Sequence, residues 1–125
     1  MTIAYWCILA AILMPYILGP IGQLPGITYE GFKAPRARWE SITGWKQRAN
    51  AAHLNGFEVL PGSAAAVLVA QLTSVSQWTV DMLARTFIAT RILHAAFYVM
   101  GFSILRTIAW VSGLACIIAL FVYAA

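Results

Sequence analysis

The chain has 125 residues, of which 62% are hydrophobic and only 10% charged, against about 45–50% apolar and about 25% charged in soluble domains. A soluble fold of this size leaves about a third of its surface in water, so the composition excludes an aqueous globule and implies lipid as the solvent. The formal charge of +4 does not point to nucleic acid: Lys33, Arg36, Arg38, Lys46 and Arg48 gather in one stretch between apolar segments, with no aromatic-interleaved basic platform.

In chain order, residues 3–24 carry no charge and are long enough, at about 1.5 Å per residue, for a hydrocarbon core of about 30 Å. This is the first predicted span. Pro15 within it predicts a bend whose freed carbonyl neighbours must satisfy. The first Lys or Arg is Lys33, so the segment lacks the basic start of a cleaved signal peptide and is expected to be retained. Cys7 and Cys116 fall in apolar runs and read as small hydrophobes, with no metal or disulfide spacing.

Residues 25–43 read as a polar, turn-rich loop. A second span is predicted over 44–73, polar in its first half (Arg48, His53, Asn55, Glu58) and apolar in its second. Ser74 to Thr79 reads as a turn, followed by a third span over 80–100, a break at Gly101, and a fourth span over 105–123. The fold class expected is therefore an all-α integral membrane protein, a single domain of four transmembrane helices in an up-down bundle, since such short connections force antiparallel neighbours. The cations of the first loop place that loop in the cytoplasm and both termini on the other side.

Ionisable side chains at membrane depth are costly and usually have a partner or a task. At 100° per residue, Arg48, Asn55 and Glu58 share one sector of the second helix while His53 points away, toward a helix or subunit contact. On the third helix Arg91, His94 and Tyr98 share a face, and Asp81 with Arg85 reads as a local i,i+4 pair. Antiparallel packing brings Arg48 level with Tyr98 and with Arg106 at the start of the fourth helix. Guanidiniums, a carboxylate, an amide, an imidazole and a phenol in one pocket suit an anionic polar ligand. Plainer readings stand beside this one. Arg91 with Glu58 is also what a helix-joining ion pair looks like, Tyr98 and Arg106 also fit interfacial anchors, and Trp6, Trp39, Trp45 and Trp78 read as an interfacial belt.

The stretch Arg48-Ala-Asn-Ala-Ala-His53-Leu-Asn55-Gly-Phe-Glu58-Val-Leu-Pro61 resembles the second-helix signature of the MAPEG family, the membrane-associated proteins in eicosanoid and glutathione metabolism. Arg91-Ile-Leu-His94-Ala-Ala-Phe-Tyr98-Val-Met-Gly101 and Leu105-Arg106-Thr107-Ile-Ala-Trp110 are similar to its bacterial branch. The resemblance implies a homotrimer binding glutathione between subunits on the cytoplasmic side. It assigns Arg48, Asn55, Glu58, Arg91 and Tyr98 to the tripeptide, with His94 among them, and gives Arg106 the catalytic role of stabilising the thiolate. The activity implied is that of a glutathione-dependent transferase or peroxidase on lipophilic substrates drawn from membrane lipid, without a metal.

A non-catalytic reading, as a lipid-binding scaffold or an accessory subunit of a larger membrane complex, stays open. Ala51 stands where bacterial relatives often carry a second Arg, Val59 where a Tyr is frequent, and Ala64, Ala65, Ala66 and Ala70 permit close helix contact. A channel or proton relay ranks behind both, because no acidic chain continues through the other half of the bundle.

Overall fold

Thr2 opens the first helix, its hydroxyl accepting from the Tyr5 N–H at 3.3 Å, which satisfies one of the orphan donors of the first turn. The structure, a computed structural model describing residues 1–125, contains six helices: α1 (Ile3–Gln23), α2 (Tyr29–Lys33), α3 (Pro35–Ser41), α4 (Trp45–Leu72), α5 (Gln77–Met100) and α6 (Ser103–Ala124). α1 packs most extensively on α4, and α5 on α6, with α4 against α5 joining the two pairs.

Small residues set the packing distance. Ala4, Ala66, Ala70 and Ala84 are buried with Val67, Val80 and Leu120 in one cluster. Pro15 is buried within α1, and a Cβ at Gly56 of α4 would lie 2.7 Å from its ring, so α1 and α4 meet through a residue that has none. Gly113 of α6 plays the same part against Thr90 of α5, with 2.9 Å available.

α1 and α6 are long and apolar enough to cross a membrane. Their outward faces expose large apolar side chains, Trp6, Leu13 and Ile17 on α1 and Ile104, Ile108 and Val122 on α6, more than a water-exposed surface would carry. α4 and α5 are longer and carry the charges, and α4, at 28 residues and about 42 Å, exceeds the hydrocarbon thickness.

The structure corrects three details of the sequence reading. Residues 25–43 are not simply turns: Thr28 caps α2 by accepting from Gly31 N–H, and Pro35, with its φ preset and no N–H to lose, starts α3. Residues 77–79 are helical, because Ser76 accepts from Thr79 N–H and begins α5 there. Asp81 does not pair with Arg85. Its Oδ1 accepts from the Ala4 N–H at 2.9 Å and from Gln77 Nε2 at 2.9 Å, so a buried carboxylate on α5 caps the first turn of α1, where a helix N-terminus favours negative charge.

Candidate functional site

Arg48 leaves α4 in its first turn, and its Nε donates to the Val99 carbonyl at 3.1 Å. That carbonyl belongs to the last turn of α5, where Gly101 adopts φ 84°. Gly101 N–H bonds to Tyr98 O at 3.1 Å and Phe102 N–H to Phe97 O at 2.9 Å, the paired bonds of a Schellman stop. α6 follows after two residues, so Arg48 pins the corner from which Arg106 departs.

Two turns further along α4, Asn55 accepts from Arg91 Nη2 at 2.7 Å through its Oδ1 and donates through Nδ2 to Glu58 Oε2 at 3.1 Å. The side-chain amide, a donor at one end and an acceptor at the other, links a guanidinium on α5 to a carboxylate on α4. The direct Arg91–Glu58 ion pair is therefore absent; the sole ion pair within 4 Å is Lys33–Glu30. Arg91 is buried while Glu58 is exposed, so the relay runs from the packed interior to an open face.

His94, three residues on from Arg91, is buried. Its Nδ1 donates to the carbonyl of Arg106 at 3.0 Å, which leaves Nε2 as a buried acceptor with no partner. The imidazole thus supports the backbone of Arg106 from within the helix packing. Tyr98 stands edge-on to His94, ring centroids 5.5 Å apart, and the Arg106 guanidinium carbon lies 4.2 Å from the Tyr98 ring centroid. A guanidinium over a phenol ring is held by the ring's quadrupole while its N–H donors stay available.

The seven residues singled out in the sequence accordingly fall into two clusters, Arg91–Asn55–Glu58 and His94–Tyr98–Arg106, with Arg48 at the corner beside them. Their charge does not balance: the seven include three guanidiniums and one carboxylate, and none of the four is in an ion pair. Such a set can hold a ligand bearing two carboxylates and one ammonium.

His53, on the far side of α4, hydrogen-bonds through Nδ1 to the Pro15 carbonyl and stacks on Trp39 of α3, centroids 6.4 Å apart and planes inclined by 23°. Trp39, expected from the sequence in the interfacial belt, thus serves as an internal packing element. The part of the site that sequence reasoning missed is the Val99–Gly101 corner. The signal was present, because a glycine closing a 24-residue helix is where a left-handed stop with exposed carbonyls forms.

Comparison with known proteins adds a family. The model of the MAPEG family matches residues 3–125. No curated protein and no solved structure matches the chain.

Proposed function

The chain belongs to the MAPEG family, and from that premise we propose that it is a glutathione-dependent transferase or peroxidase acting on lipophilic substrates that reach it from the bilayer. In this reading α1, α4, α5 and α6 all span the membrane, the α2–α3 loop is cytoplasmic, both termini face the other side, and three copies form the working unit. The cations of the α2–α3 loop support that orientation.

The observation that carries the reading is the donor surplus at one end of α4, α5 and α6. Glutathione carries two carboxylates and one ammonium, and the chain offers Arg48, Arg91 and Arg106 against Glu58. Arg48 spends Nε on Val99, leaving its terminal N–H groups to grip a carboxylate in a fork. Glu58 is exposed and takes only the Asn55 amide, so a free carboxylate oxygen remains for an ammonium. Asn55, fixed at both ends, holds Glu58 and Arg91 at a constant separation.

Arg106 carries the chemistry. Its guanidinium is held by the Tyr98 ring and its backbone by His94, so a positive charge stays at one point without a neutralising acid. A cation so placed favours thiolate over thiol. When bound, glutathione supplies the sulfur nucleophile whose new bond to an electrophilic carbon sends the displaced electron pair to a leaving group. Arg106 stabilises negative charge before the transfer, and the apolar faces of the neighbouring helices exclude water.

The test is ultraviolet absorbance of the thiolate on adding glutathione to the purified protein, together with thiol transfer to a lipophilic electrophile. Both are expected for the parent chain, and Arg106→Ala should lose about a hundredfold in transfer rate, the scale of removing one charge-stabilising donor. No thiolate signal and no transfer in the parent protein, or full transfer in Arg106→Ala, overturns the reading.

A further inference from the structure

We propose that the loop end of α1 is a binding site for one anionic phospholipid, with its phosphate on Arg38 and Lys46 and one acyl chain lying in a groove between α1 and α5. The site shares no residue with the glutathione cluster and stands or falls independently of it.

The headgroup end is defined by a single oxygen. The Pro25 carbonyl, just past the end of α1, accepts from Lys46 Nζ at 2.8 Å and from Arg38 Nη2 at 3.2 Å. Two cations from different helices thus converge on one neutral acceptor, and neither has a carboxylate within 4 Å. Like charges this close repel unless an anion joins them. Both retain donors: Arg38 gives Nε to the Gln23 carbonyl at 3.2 Å and keeps Nη1, while the ammonium of Lys46 keeps two of its three protons. Gly26, next in the chain, has no side chain to cover them, and a Cβ there would have only Lys46 Nζ, at 3.7 Å, for a neighbour.

From this point the surface turns apolar without a break. Leu24, Ile21 and Pro20 form a shallow depression with Pro25 and Trp45. Ile21 also lines the next depression, a groove of about 410 Å³ whose nine lining residues are all hydrophobic. Ile17 and Ile21 form one wall and Ile92 and Met100 the other, and Ala95 and Ala96 leave the floor low. From Leu24 to Met14 the helix rises about 15 Å, which is half of a hydrocarbon core of about 30 Å. That is the depth of one leaflet, the reach of one acyl chain.

Charge selects the occupant. A second copy of the chain would bring the same loop to this end, in which Lys33, Arg36 and Arg38 outnumber Glu30 and Glu40, and so would add net positive charge beside Arg38 and Lys46. An anionic lipid supplies a phosphate at the top and an aliphatic chain below it, and Trp45, with its ring centroid 6.0 Å from Lys46 Nζ, suits the level between them.

The experiment equilibrates the full chain with equimolar phosphatidylglycerol and phosphatidylcholine, then counts each lipid retained through purification by native mass spectrometry. Phosphatidylglycerol should be retained in excess. Arg38→Gln and Lys46→Gln should each lower that excess about fivefold, the effect of one cation at a lipid surface, whereas Arg36→Gln, on the same loop but outside the convergence, should leave it unchanged. Ala96→Trp, which fills the floor of the groove, should remove the retained lipid. Because Arg38 and Lys46 also hold the end of α1, the double variant Arg38→Lys with Lys46→Arg serves as the folded control and should keep the excess. Equal retention of the two lipids by the parent chain, or an equal fall in Arg36→Gln, overturns the proposal. So does an Ala96→Trp variant that changes oligomeric state but keeps its lipid, which would assign the groove to a second copy.

Discussion

The two ends of α5 both bury ionisable side chains, and they do so in opposite ways. At its start, Asp81 accepts from the Ala4 backbone and from Gln77; the charge sits at a helix N-terminus and its acceptor is used twice. Toward its other end, Arg91 has one partner, His94 has a nitrogen with none, and Arg106 lies over a ring with no acid in reach. A buried charge held by two hydrogen bonds is part of the scaffold, whereas polar atoms left without a partner are an invitation to a ligand.

That contrast is open to direct attack. The largest effect belongs to the unsatisfied end: Arg106→Ala should cost about a hundredfold in thiol transfer and leave thermal unfolding in detergent nearly unchanged. A large fall in melting temperature instead would make Arg106 a scaffold residue. At the satisfied end, Asp81→Ala strands the Ala4 N–H and should destabilise the fold by about 1–3 kcal/mol, measured by thermal unfolding, with Asp81→Asn recovering most of the loss because its amide oxygen still accepts. Asn55→Ala cuts the link between Arg91 and Glu58 and should weaken glutathione binding about tenfold, the worth of one charged hydrogen bond; titration calorimetry checks it, and unaltered affinity would remove Asn55 from the site. The smallest effect is expected at Arg85→Ala, within about 0.5 kcal/mol, since this exposed residue makes no bond to Asp81. A loss as large as that of Asp81→Ala would restore the local pair that the structure replaces.

Helical periodicity explains what was legible in the sequence. Asn55 and Glu58, three apart, were readable as neighbours because the backbone repeat alone brings them together, and the same holds for His94 and Tyr98, four apart. Asp81 followed the same logic into error. Its spacing to Arg85 suits a pair, but the partner that wins is a backbone N–H 77 residues earlier, a contact created by packing and invisible to any local window. α2 and α3 escaped for a different reason: five and seven residues are too few to show a period, and only the cap at Thr28 and the proline at 35 mark them. The face of His53 was correctly read as pointing away from the cluster, yet Pro15 and Trp39 as its partners depend on how α1 and α3 close over α4.

Gly101 bears on which substitutions the chain tolerates. Its φ of 84° would strain any L side chain by about 1–2 kcal/mol, and the nearest atoms a Cβ would meet belong to the Arg48 guanidinium, at 3.6 Å. A longer side chain would push Arg48 off the Val99 carbonyl and shift the start of α6 with it. Gly62 has nothing within 4 Å of where its Cβ would lie. In a saturation scan, then, position 101 should be nearly closed and position 62 open to apolar side chains of any size, though both read as the same letter.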